Sequence, residues 1–182
     1  MKKEKKFKNK KTKDSIPRLK TVGFSMLEML VVVAILGMLS LILYPNIINS
    51  LETRDLESTS RDVLTYLHTA KFQAVKMKYN HRVRFSNQPG YWVYRIEREE
   101  SPGEWNRVVE YPEKSINRKF NVTVSLPNQC IIFSPLGYIS NFTVNQNRVV
   151  IQSPKLLSRK QPDLRILSVF AGGSIQYQKS QT

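Results

Sequence analysis

The chain reads as α+β: a long N-terminal helix, transmembrane at first and then amphipathic, packed on a C-terminal antiparallel β-domain of two sheets. Three observations predict this. An apolar run extends from Phe24 to Tyr44, in which only Ser25, Glu28 and Ser40 are polar. Apolar residues then recur at helical spacing, Val63, Leu67, Ala70, Ala74 and Met77 falling on one face. From His81 onward the period changes to 2, with turn residues between short runs.

The apolar run has 21 residues, and about 20 in a helix match the hydrocarbon thickness of a bilayer. It is too long for the core of a secretory signal peptide, and no small-x-small site follows it. Beyond it, no Gly or Pro occurs between 46 and 79, so the helix continues to about Tyr79. Pro45 removes one backbone hydrogen bond and predicts a kink, and Gly37 is a second weak point. Glu57 and Arg61 are spaced as a surface pair. The amphipathic half has to cover something, and the domain that follows is the candidate.

Charge divides the chain at Gly23. The whole carries +15. Residues 1–23 hold nine Lys and Arg18 against Glu4 and Asp14, a net of +8, which leaves +7 for the remainder. A Lys-rich stretch with few apolar residues cannot bury enough surface to fold. Basic residues beside a first spanning segment stay in the cytoplasm. The opposite flank, residues 45–62, carries Glu52, Asp55, Glu57 and Asp62 against Arg54 and Arg61. The expected organisation is a basic leader (1–23), a membrane-spanning helix (24–44), its amphipathic continuation (45–79) and a β-domain (80–182). The chain is expected to cross a membrane once, with the N-terminus in the cytoplasm and the β-domain outside.

The β-domain is read from seven or eight runs: His81–Phe85, Tyr91–Ile96, Trp105–Tyr111, Phe120–Leu126, Cys130–Phe133, Arg148–Gln152, Leu164–Phe170 and Ile175–Tyr177. Turn signals lie at Gln88–Gly90 and Ser101–Gly103, and Gly172–Gly173 reads as a tight hairpin turn. Cys130 is the single cysteine. It permits no intramolecular disulfide and, before Ile131, Ile132 and Phe133, reads as a small core residue.

Glu28 is the anomaly, because a carboxylate in a spanning segment is costly and marks a function by default. Gly23, Phe24 and Glu28, followed at once by the apolar run, resemble the prepilin-peptidase site of type IV pilins and pseudopilins. The resemblance implies cleavage after Gly23, N-methylation of Phe24, and a role for Glu28 in assembly with a neighbouring subunit. Pro45 falls where major pilins often carry a proline; the disulfide many of them have is missing. The segment Ile131 to Gly137, with Phe133-x-x-x-Gly137, and the terminal hairpin at Gly172–Gly173 resemble the GspH/FimT group of minor pseudopilins. The implied partners are prepilin peptidase, other pilins or pseudopilins, an inner-membrane assembly platform and membrane lipid. The implied role is a structural subunit of a type II secretion pseudopilus or a type IV pilus.

No catalytic set is legible. His68 and His81 have no carboxylate or cysteine at metal-ligand spacing, and neither a glycine-rich phosphate loop nor G-x-S-x-G occurs. The chain is therefore expected to be a peptidase substrate, not an enzyme, with no metal and no cofactor. The alternative is a DNA-binding minor pilin acting in uptake. Lys155, Arg159, Lys160 and Arg165 cluster in sequence as candidate nucleic-acid contacts. The FimT-like C-terminal basic pattern is not present: only Lys179 is basic after Gly172.

Overall fold

A computed structural model describes residues 23–182; within the first helix, the side chains of residues 41–46 and 49 are outside the description. The leader, residues 1–22 of it, therefore lies outside the described residues. Two compact units divide the chain, residues 1–42 and 43–182.

The first helix, α1, is Met26–Met77. It is helical through Gly37 and Pro45; the kink expected at Pro45 falls among side chains outside the description. In the first unit Ser25 caps the helix, its hydroxyl accepting from the Leu27 amide at 3.3 Å. From Phe24 to Leu39 the apolar side chains are all exposed, down to Val32, the least so. Among the described residues, no helix is long and apolar enough to cross a membrane. The described part of the expected 24–44 span stops at Ser40.

In the second unit α1 does have a covered face. Leu56, Ser60, Val63, Leu67, Ala70 and Ala74 are fully buried, and Glu52 nearly so. The predicted stripe is right from Val63 to Ala74 but ends before Met77, which is 44% exposed in the last turn. It also begins earlier, at Glu52, which the hydrophobic pattern could not show because Glu52 and Ser60 are polar. Ser60 is satisfied locally, its hydroxyl donating to the Leu56 carbonyl at 2.7 Å. Lys71, off the stripe, is also held: its Nζ donates to the Gly173 carbonyl at 2.9 Å.

The strands are β1 His81–Gln88, β2 Tyr91–Ser101, β3 Glu104–Arg107, β4 Lys114–Ser115, β5 Asn121–Ser125, β6 Cys130–Phe133, β7 Arg148–Gln152, β8 Leu164–Val169 and β9 Ile175–Ser180. Two antiparallel sheets form, β3-β2-β1-β6 with β4 added to β2, and β5-β7-β8-β9. Alternation sets which face is buried. In β1 Val83 and Phe85 face inward beside Ile96 and Tyr94 of β2, and Ile131 of β6 pairs with Val83. In the second sheet Val149 and Ile151 of β7 pair with Leu167 and Arg165 of β8, all four buried. The inner residues of both sheets join Leu56, Val63, Leu67 and Ala70 in one core. Cys130 is buried, and that burial pushes its thiol pKa up.

One predicted strand changes. The Trp105–Tyr111 run is strand only to Arg107; Tyr111 turns back to bond the Val108 carbonyl ahead of Pro112, and the short β4 then pairs with Val93 and Tyr94. The tight hairpin turn expected at Gly172–Gly173 is present and lies one residue earlier, Phe170 to Gly173 forming a β-turn. The last β8–β9 pair is Val169 with Ile175, so residues 170–174 form the loop, closed by Gly173 N–H to the Phe170 carbonyl at 2.7 Å. Between β7 and β8 a short helix, α2 Pro154–Leu157, was not anticipated.

Candidate assembly and surface sites

Gly23, Phe24 and Ser25 precede the first helical turn, and Phe24 is 73% exposed. Gly23 has open space around its Cα. Glu28 lies in the first turn of α1 and is exposed. There its carboxylate faces the positive end of the helix dipole. Ser25-Met26-Leu27-Glu28 also has the order of a capping box. The sequence reading missed this local reason for a glutamate at that place.

The four residues expected to form a basic cluster do not stay together. Lys155, Arg159 and Lys160 are exposed on and just after α2. Arg165 is 2% exposed on the inner face of its sheet. Its guanidinium donates to Glu57 at 3.2 Å and to the Pro162 and Leu164 carbonyls at 3.2 and 2.9 Å. It is a buried partner of α1, so a nucleic-acid contact by Arg165 is corrected. The signal was available: Arg165 stands at an inward position of the alternation Arg165, Leu167, Val169.

The acidic flank read as a topology signal turns out to bind the helix to the domain. Glu57 accepts from the Tyr177 hydroxyl at 2.8 Å, pairs with Arg165 and, at 3.1 Å, with Lys179, and holds Arg61 at 2.9 Å. Burial opposes its ionisation, but the Tyr177 hydroxyl, Lys179, Arg165 and Arg61 outweigh that and hold its pKa at about 2. Burial and the Glu57 charge push Tyr177 up to about 12. Glu52 accepts from Ser153 at 2.9 Å and pairs with Lys119 at 3.3 Å, and Lys119 also reaches Asp55 at 2.5 Å. Asp62 pairs with Lys114 at 3.3 Å.

The segment that carries the sequence resemblance in the β-domain has a clear geometry. Ser134–Gly137 is a turn, Gly137 N–H donating to the Ser134 carbonyl at 2.8 Å. Gly137 and Gly173 both have positive φ, and a Cβ on Gly173 would collide with the Gly137 carbonyl. At Gly173 the close approach and the positive φ both require glycine; at Gly137 the positive φ alone does, since a Cβ there would only touch Lys71 and Val75.

His81 is buried, with Nδ1 2.9 Å from the Tyr79 carbonyl, and burial pulls its pKa down. His68 is exposed on α1. Among the described residues, no group of three or more His, Cys, Asp or Glu could hold a metal ion.

No family model matches the chain, and no curated protein matches it. Among solved structures it is similar to the crystal structure of the type IV minor pilin FimU of Pseudomonas aeruginosa strain PAO1. That similarity is at 14% identity over 67% of this chain and 91% of that chain, with a TM-score of 0.45.

Proposed function

We propose that the chain is a minor pilin or pseudopilin: an inner-membrane subunit cut after Gly23 by prepilin peptidase, methylated at Phe24 and built into a filament with other pilins. The observation that carries this reading is the division of α1. Its first half, Met26 to Leu39, exposes every apolar side chain, while its second half covers a two-sheet domain. A surface of that apolarity needs lipid or other subunits around it. The Gly23, Phe24 and Glu28 spacing supports the processing step. Residues 24–44 then span the bilayer, residues 1–23 lie in the cytoplasm, and the β-domain lies on the outer side. The role is structural, with no catalysis and no cofactor. A secretion pseudopilus and a type IV pilus fit equally well.

Glu28 acts in assembly. Once cleaved, Phe24 carries a new α-amine at similar depth to Glu28, and a neighbouring subunit can bring the two together. Such a pair must offset its own desolvation, so its main effect is on register and recruitment. The test is co-purification of partner pilins from membranes with the unaltered chain, Glu28→Ala and Glu28→Gln. Glu28→Ala should insert and be processed but recover far fewer partners, with Glu28→Gln intermediate or as poor. Equal recovery by Glu28→Ala would overturn the role of Glu28. The DNA-uptake reading retains only Lys155, Arg159 and Lys160 of its four residues.

A further inference from the structure

Lys71 and Gln73 stand in one turn of α1 and serve opposite flanks of it, since residues two apart in a helix lie about 200° apart. Lys71 holds the Gly173 carbonyl, and the Gln73 amide donates to the Tyr111 hydroxyl. The two flanks carry different surfaces.

On the Lys71 flank three segments meet. A Cβ on Gly137 would touch the Lys71 and Val75 side chains at 3.4 Å, and Gly173 lies against the Gly137 carbonyl. Of the six large apolar side chains exposed in residues 80–182, three belong to the two loops that meet here: Leu136, which is 82% exposed, Tyr138 and Phe170. The other three, Val109, Val144 and Leu157, come from three separate segments. Val75 and, at 61%, Phe72 extend the apolar surface along α1. Its charge is one-sided. Residues 63–96, 114–162 and 164–182, which supply all of it, contain no Asp or Glu. Lys76 lies over the Phe72 ring, Nζ 5.9 Å from the centroid, and among the described residues it makes no ion pair. Exposed apolar side chains gathered in this way mark a docking surface.

On the Gln73 flank the loop between β3 and β4, next to Tyr111, has the matching features. Val109 is 87% exposed. Glu110 beside it is exposed and makes no ion pair among the described residues. Residues 108–113 hold Glu110 and Glu113 and no Lys or Arg. An apolar knob beside a free carboxylate complements an acid-free apolar surface that carries a free ammonium.

We propose that the surface formed by Phe72, Val75, Leu136, Tyr138 and Phe170 docks on the Val109–Glu110 loop of a second copy of this chain, with Glu110 pairing to Lys76. The two surfaces differ and lie on opposite flanks, so the contact is heterologous and open: each docked copy leaves a free surface for the next. The same turn of α1 serves both, so copies side by side in one orientation bring them level. One membrane gives its subunits that orientation, and for this setting the proposal rests on the filament reading above.

The test uses the full chain in membranes, in a Cys130→Ser background, with Val109→Cys and Leu136→Cys in one chain or each alone, under mild oxidation. The double-cysteine chain should give a ladder of disulfide-linked dimers, trimers and larger species, and neither single-cysteine chain should. Lys76→Glu or Glu110→Lys should lower the linked fraction by about fivefold, and the two together should restore it. The N-terminus of the same samples is read for removal of residues 1–23. No ladder from a processed chain overturns the docking and leaves the filament reading standing. A ladder from a chain that keeps its leader supports the contact and overturns the processing on which the filament reading depends. Dimers from Leu136→Cys alone mean an isologous contact and overturn the proposal. So does a link from position 136 to a different protein without the ladder. A ladder that both charge reversals leave unchanged overturns the pairing of Glu110 with Lys76.

Discussion

Residues 26–40 and residues 52–74 belong to one helix and share its backbone, yet they solve opposite problems. The first stretch exposes apolar side chains on every side. The second buries a single stripe and surrounds it with carboxylates that grip the β-domain. Helical form is thus no guide to what a segment packs on. The first stretch leaves its apolar side chains exposed among the described residues, and the second depends on residues more than a hundred positions away, such as Arg165 and Tyr177.

The same substitution in the two halves should break this comparison most sharply. Leu67→Asp puts an unpaired carboxylate into a fully buried site, and should cost several kcal/mol. Leu36→Asp, at an exposed position, should leave the melting of the β-domain unchanged while reducing membrane insertion. Thermal melts and membrane fractionation of both variants check this. Equal loss of domain stability from the two would show that the halves are not independent.

The grip of Glu57 should show as a pH dependence. Its folded pKa of about 2 lies below the ordinary 4.5. Its stabilisation is therefore fully present above about 4.5 and is lost as pH falls towards about 2. Denaturant midpoints measured down that range should fall, and a Glu57→Gln chain should start lower and fall less. Removal of Glu57 altogether leaves the Arg165 guanidinium buried without its carboxylate, a loss on the order of 3–5 kcal/mol. The smallest effect belongs to Lys71→Ala, which removes one hydrogen bond to Gly173. About 0.5–1.5 kcal/mol is expected, read as a modest shift in the same melt.

Much of the architecture was legible because periodicity reports burial. Val83 and Phe85, or Val149 and Ile151, alternate as an inner sheet face must, and Val63 to Ala74 repeat as a helix face must. What was not legible was polar. Glu52 is buried because the distant Ser153 and Lys119 satisfy it, and distance in sequence hides such partners; Ser60 is satisfied within its own helix, and for Arg165 the inward position was readable but its partner Glu57 was not. Short elements were lost for a related reason. β4 and α2 hold two and four residues, too few for any period to emerge. At the candidate sites, Phe24 and Glu28 are exposed and Lys155, Arg159 and Lys160 stay at the surface on and after α2, while the order Ser25 to Glu28 was a cap signal that the sequence carried and that was passed over.

The processing of the N-terminus bears most directly on the account. The chain would be made alongside a prepilin peptidase, and its terminal peptide read by mass spectrometry, together with a version in which Gly23 is replaced by a bulky residue. The account predicts a mature chain that begins at N-methylated Phe24, and an uncut leader when Gly23 is replaced. A terminus still at Met1 in the unaltered chain, or a cut beyond Tyr44, would contradict it.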